Sequence, residues 1–256
     1  MFKNIYLLSD IHGDFSHVRN FYVDNKDILS KDSKENLLIL LGDEGINFIA
    51  DRDIKQKKQL SKYPFTYFCI RGNHDLRPSE LMEQHPDKWH PELWFGNKVY
   101  VEDAFPQILY ALDGGGEYNI QGEAVLVIPG AYSVDKDYRL ERHWTWNPTE
   151  QLTEDEYNKI MANLKPHYDY IFAHTCPYSW QPQIKDLFLS FLDQSKIDKT
   201  MEKYLDTIVE KTDYKHFYFG HYHADRDVNP KATMVYHTAL PLGMSYTEYM
   251  IACLTK

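Results

Sequence analysis

Only three cysteines, Cys69, Cys176 and Cys253, occur in 256 residues. An odd, sparse set builds no disulfide framework and suits a reducing compartment. Cys69 and Cys253 lie in apolar runs and read as small buried hydrophobes. No apolar run approaches the roughly 18 residues that a membrane-spanning helix needs, so no membrane association is expected. The N-terminus lacks a basic stretch followed by a long apolar one, so no signal peptide is expected and the cytoplasm is the expected compartment. Positive charge is scarce as well: 28 Lys and Arg face 38 Asp and Glu, a formal net charge of -10. Such a surface repels nucleic-acid backbones, and extended nucleic-acid binding is not expected. Bound cations would reverse that sign locally, which leaves phosphate-bearing substrates open. Internal repeats, low-complexity segments and linkers are missing too. With 43% hydrophobic residues the chain can bury a sizeable core, and residues 1–256 read as one domain.

The first third alternates short apolar runs with polar stretches. Ile5 to Leu8, Leu37 to Leu41 and Phe65 to Ile70 read as buried parallel strands. Val18, Phe21 and Tyr22 fit a helix between the first two, and Asp51 to Lys62, free of Gly and Pro, fits another. In the middle, Ile108 to Leu112, Glu117 to Ile120 and Ala124 to Ile128 read as antiparallel strands, turned by Asp113-Gly114-Gly115-Gly116 and Gln121-Gly122-Glu123. Thr153 to Glu156 matches a capping box. Met201, Tyr204, Leu205, Ile208 and Val209 form the apolar stripe of an amphipathic helix. Tyr170 to Ala173 and Phe217 to Phe219 read as strands, and Thr233 to Tyr236 and Tyr249 to Leu254 as closing strands.

Five short segments carry the chemistry: Asp10-Ile11-His12, Gly42-Asp43, Gly72-Asn73-His74-Asp75, His174, and Gly220-His221-Tyr222-His223. Nearly every one follows an apolar run. Asp10 and His12 are two apart, and in extended backbone such a pair points the same way. His221 and His223 repeat the spacing. A carboxylate such as Asp43 has two oxygens and can bridge two ions, and Asn73 offers a neutral carbonyl. Mixed nitrogen and oxygen ligation without thiolate suits Mn, Fe, Zn or Ni more than Ca. Each segment alone has a plainer explanation: Asp10 as a helix cap, Asn73 as a turn residue, a lone His as a core or surface residue. Their joint occurrence at strand ends, where sites form in open α/β sheets, points to a pair of divalent cations.

In this order the segments resemble the calcineurin-like metallophosphoesterase superfamily, whose pattern runs D-x-H, G-D-x-x-D, G-N-H-[DE], a lone H and G-H-x-H. The matching residues run from Asp10 to His223. One departure is Ile46, which stands where many members carry a second aspartate. The resemblance implies an α/β fold, a four-layer αββα sandwich of two mixed β-sheets flanked by helices. It implies one metal on Asp10, His12, Asp43 and His223 and a second on Asp43, Asn73, His174 and His221, with Asp43 bridging. The cofactors would be two divalent ions, Mn2+ first, with Fe, Zn or Ni as alternatives. The activity would be hydrolysis of phosphate esters by a metal-bridging hydroxide, with His74 as general acid and Asp75 orienting its ring.

Arg71, directly before Gly-Asn-His-Asp, resembles the protein-phosphatase branch and would grip phosphate oxygens bidentately, with Arg139 as a second clamp. Arg71 favours phosphomonoesters, either a phosphoprotein or a small phosphate. The alternatives are a nucleotide phosphodiesterase or nuclease using the same site, and a non-catalytic metal-binding scaffold. His85, Trp89, His90, Trp94 and Phe95 crowd one segment, and His143, Trp144 and Trp146 another. Either could wall a base or an aromatic leaving group, or simply pack a loop.

Overall fold

In the computed structural model, residues 1–48, 50–188 and 192–255 are described. Strands β1 (Asn4–Leu8), β2 (Asn36–Leu40) and β3 (Thr66–Cys69) form where the apolar runs lie. They are followed by β4 (Trp89–Trp94), β5 (Asn97–Glu102), β6 (Ile108–Tyr110), β7 (Gly116–Ile120), β8 (Glu123–Ile128) and β9 (His167–Ala173). The last four are β10 (Asp213–Phe219), β11 (Arg226–Asn229), β12 (Ala232–Met234) and β13 (Leu240–Pro241). The helices are α1 (Ser16–Asp24), α2 (Ala50–Leu60), α3 (Pro78–Gln84), α4 (Lys136–Glu141), α5 (Glu154–Ala162), α6 (Thr200–Lys211) and α7 (Tyr246–Leu254).

The strands make two mixed sheets, ordered β13-β1-β2-β3-β6-β5-β4 and β11-β12-β10-β9-β8-β7. The parallel centre of the first is β1, β2, β3 and β6. That of the second is β12, β10, β9 and β8. The two-residue period of each strand divides its side chains between two cores. From β2 and its end, Leu37, Ile39 and Leu41 join Val125, Phe172 and Tyr218 between the sheets. Leu38 and Leu40 face the other way, onto Phe15, Val18 and Leu60 of the helix side. On the second sheet Phe217 and Phe219 turn outward onto Ile160, Leu205 and Ile208. Strands buried on both faces require helices on both outer surfaces, which gives the four layers αββα.

The structure corrects three readings of the sequence and decides a fourth. Tyr249 to Leu254 is the last part of helix α7, started by Ser245, whose hydroxyl accepts from the Glu248 backbone while the Glu248 side chain accepts from the Ser245 backbone. Cys253 on that helix is exposed. Strands β6 and β7 do not pair: β6 joins β3 and β5, and Asp113 to Gly116 carries the chain from one sheet to the other. The aromatic segment around Trp89 and Trp94 is the β4–β5 hairpin at a sheet edge, with Trp89 buried in the helix-side core. Among the described residues, no helix is long and apolar enough to cross a membrane.

Candidate metal centre

The carboxyl ends of the parallel strands converge on one spot, and they come from both sheets. Asp10 follows β1, Asp43 follows β2 and Asn73 follows β3, while His174 follows β9 and His221 and His223 follow β10. The turns that present them are unusual. Among the described residues, eight non-glycine residues have positive φ, and five of them are Asp10 (51°), His12 (43°), Asp43 (57°), His221 (71°) and His223 (52°). Side chains rarely occupy this region, and backbone held there collects at functional sites. The i, i+2 pairs therefore converge through left-handed turns, not through the strand pleat that the spacing suggested.

The distances are short. His12 Nε2 lies 3.2 Å from His223 Nε2, and His223 Nε2 lies 3.4 Å from Asp10 Oδ1. His174 Nε2 is 3.5 Å from Asp43 Oδ2 and 4.0 Å from Asp10 Oδ1. It is also 3.0 Å from Asn73 Oδ1. Within the triplets Asp10, His12, His223 and Asp10, Asp43, His174, the donor atoms all lie within 4.8 Å of one another. Among the described residues these are the two groups of three or more His, Cys, Asp or Glu side chains so arranged. His221 donates its backbone N–H to Asp10 Oδ2 at 2.8 Å, and its ring lies 5.1 Å from that of His174.

These residues fit divalent cations. Asp10 and Asp43 are each only 2% exposed, and two buried carboxylates call for positive charge. Asp10 Oδ1 is buried with no hydrogen-bond partner among the described residues. His174 Nδ1 bonds the Leu41 carbonyl at 2.7 Å, which puts that ring proton on Nδ1 and leaves Nε2 free as a ligand. Gly42, at φ +109°, lies so close to His174 that a Cβ would strike the imidazole, and a Cβ on Gly72 would strike Asp43 Oδ1. Electrostatics agree. Burial opposes charge on both groups, yet their mutual attraction holds Asp43 well below the usual carboxylate range and lifts His174 to about 9. Burial, then the neighbouring His174, presses His221 down to about 3. Positive charge at this point, from a bound cation, is what two buried carboxylates favour.

A layer of supporting residues, not evident from the sequence, holds the donors. Asn73 Nδ2 donates to Ser133 Oγ at 3.0 Å, and Ser133 Oγ donates to Glu150 Oε2 at 2.5 Å. That chain turns the Asn73 carbonyl oxygen toward His174. Glu44, 2% exposed, has its carboxyl pushed well above the usual range by burial and then by the neighbouring Asp75. Ile46, the departure from the family pattern, is buried in the helix-side core.

The remaining expected residues divide. Asp75 Oδ2 accepts from the backbone N–H groups of Asp43 (2.7 Å) and Gly72 (2.8 Å), so it clamps two ligand-bearing turns and not the His74 ring. His74 donates its backbone N–H to Asp43 Oδ1 at 2.8 Å, and its Nε2 is 3.9 Å from Asp43 Oδ2. Burial lowers its pKa, against the pull of Asp43. Arg71 is 4% exposed and donates to the Glu150 carbonyl at 2.5 Å and to that of Asp113 at 3.5 Å. It is an internal brace, because those carbonyls and not the cleft receive its guanidinium. Arg139, anchored by Asp135 at 2.7 Å, borders a small recess with His12 and His74. Of the two arginines, Arg139 is the one beside the site.

Residues 3–225 match the model of the family described as calcineurin-like phosphoesterase. The chain belongs to that family. It is therefore a metal-dependent phosphoesterase, and its substrate is a phosphate ester. No curated protein matches its sequence. Among solved structures it is similar to a Thermus thermophilus protein, TT1561, at 13% identity and TM-score 0.48, covering 92% of this chain and 89% of that one. It is similar to a phosphopantetheinyl hydrolase from Mycobacterium tuberculosis at 12% identity and TM-score 0.44, covering 91% and 88%. A 5'-nucleotidase from Candida albicans is similar at 15% identity and TM-score 0.35, covering 92% of this chain and 45% of that one.

Proposed function

We propose that the protein hydrolyses phosphate monoesters with two divalent cations, Mn2+ first and Fe, Zn or Ni as alternatives. One cation would rest on Asp10, His12, Asp43 and His223, the other on Asp43, Asn73, His174 and His221. The observation that carries this reading is the two donor triplets, Asp10/His12/His223 and Asp10/Asp43/His174, the atoms of each lying within 4.8 Å of one another. When bound, the ions would supply Lewis-acid activation of the phosphoryl group and of water.

The chain's own residues supply the rest. His74 stands at the rim of the cluster, tied to Asp43 through its backbone, with its Nε2 outside both triplets. It is the group free to give a proton to the departing ester oxygen. Asp75 keeps the turns of Asp43 and Asn73 in register through the two N–H groups it accepts. Arg139 supports the monoester reading, since a dianionic ester gains more than a diester from a cation beside His74. The test is metal-stripped protein, with and without added Mn2+, assayed on para-nitrophenyl phosphate and on the bis ester. Metal-dependent turnover that favours the monoester is the expected result. Preference for the bis ester would assign a diesterase, and no turnover by metal-loaded protein would overturn the reading.

A further inference from the structure

The cluster opens into a cleft of about 400 Å³, within the range of small-molecule sites. Its near end is His12, Asp43, Asn73, His74 and the His221/His223 pair. Its far end has a different chemistry: Phe188, Tyr222, Leu187, Lys199 and Glu202. Phe188 and Tyr222 face each other at 6.2 Å between ring centroids and 26° between planes. Tyr222 lies between the two histidines of its segment, so the aromatic wall is joined directly to the metal end. Its hydroxyl is bonded by Thr175 at 3.2 Å and Gln181 at 3.4 Å, which fixes the ring.

Lys199 and Glu202 are three residues apart at the start of α6, hence on one helix face. Lys199 Nζ stands 5.6 Å over the Phe188 ring. Glu202 is 2% exposed, and its Oε2 has no hydrogen-bond partner among the described residues. A buried carboxylate oxygen without a partner is rare in native proteins and asks for a donor. Burial also pushes this carboxyl up to about 7. The far wall thus combines an aromatic ring, an ammonium donor beside it and a buried carboxylate oxygen without a partner among the described residues.

We propose that this far end is a nucleobase subsite, so that the monoesters the enzyme selects are nucleoside monophosphates. Each base has a π face for Phe188 and, on one edge, an acceptor beside an N–H donor to meet Lys199 and Glu202. An aliphatic ester uses neither feature, and a phosphotyrosine ring uses only the face. This inference rests on the phosphate-ester reading above.

The test compares nucleoside 5'-monophosphates with ribose 5-phosphate and phosphotyrosine on the Mn2+-loaded protein. At least one nucleotide should exceed ribose 5-phosphate about tenfold or more in kcat/KM, the size of one base-stacking contact. Phe188→Ala, Lys199→Met and Glu202→Gln should each shrink that ratio severalfold, with folding checked by thermal melting. Equal efficiency for ribose 5-phosphate and every nucleotide, a preference for phosphotyrosine, or a ratio unmoved by all three folded variants would overturn the subsite. Calorimetric binding of nucleotide against ribose 5-phosphate decides the same question without turnover. Loss of all turnover together with base-dependent binding would count against the phosphate-ester reading and for the subsite.

Discussion

His12 and His223, 211 residues apart in the chain, bring their Nε2 atoms to 3.2 Å. Neither ring can donate to the other without a proton at that point, and Asp10 Oδ1 lies 3.4 Å from the second. The three atoms could hold a cation. Asp10→Asn should weaken binding of added Mn2+ by at least about tenfold, as changes around metal ligands do, and titration calorimetry of the metal-stripped protein measures it. Unchanged affinity would show that the ion binds elsewhere.

Asp43 faces three histidines of the site, His12, His74 and His174. Asp43→Asn should cost at least about a hundredfold in turnover of para-nitrophenyl phosphate. The fold should survive, since the backbone N–H that Asp75 accepts is retained.

His74→Asn separates proton donation from metal binding. Turnover should fall by about 10² to 10⁴ while Mn2+ affinity stays near that of the parent. The loss should be larger for an alkyl phosphate than for para-nitrophenyl phosphate, because the poorer leaving oxygen needs the proton more. Equal losses on both esters would remove His74 from that role.

The two arginines should respond in opposite ways. Arg71→Met removes donors to two buried carbonyls and should lower stability by about 2 kcal/mol or more, seen as a lower melting temperature with KM nearly unchanged. Arg139→Ala should leave the melting temperature nearly unchanged and raise KM for the monoester. Kinetics of Arg139→Ala identical to the parent would exclude it as a phosphate contact.

Glu202 gives a pH signature in stability. Its carboxyl titrates near 7 in the folded chain against about 4.5 unfolded, because burial disfavours the charged form. The folded state therefore holds the proton more tightly, and stability falls as pH rises from about 4.5 through 7. The whole difference amounts to about 3 kcal/mol. Glu202→Gln should raise the melting temperature at pH 8 and change it little at pH 4.5. An equal effect at both values would show that folding does not raise the carboxyl's pKa.

Much of this was legible in the sequence because the physics is local. Leu37 to Leu41 is apolar at every position, and only a strand between two layers needs that. The family was legible because the order of its motif segments along the chain is distinctive. What escaped was whatever depends on distant partners. The apolar run Tyr249 to Leu254 suits strand or helix equally, and only the Ser245–Glu248 box decides it. Arg71 sits next to Gly72 in sequence, yet its side chain turns toward the Glu150 carbonyl. Ser133, which orients Asn73, lies 60 residues away with no motif to announce it. The aromatic wall likewise arises from Phe188 and Tyr222, and not from the richer clusters around Trp89 and Trp144.

The site draws Asp10, His12, Asp43 and Asn73 from the ends of the first sheet and His174, His221 and His223 from those of the second. Neither half of the chain can assemble it alone. Each sheet can acquire its own hydrogen bonds early, but the cluster exists only after the two have stacked. Contacts spanning 211 residues are among the slowest for a chain to close. Return of activity during refolding therefore times the meeting of the sheets, while recovery of circular dichroism times the sheets themselves, and the first should lag the second.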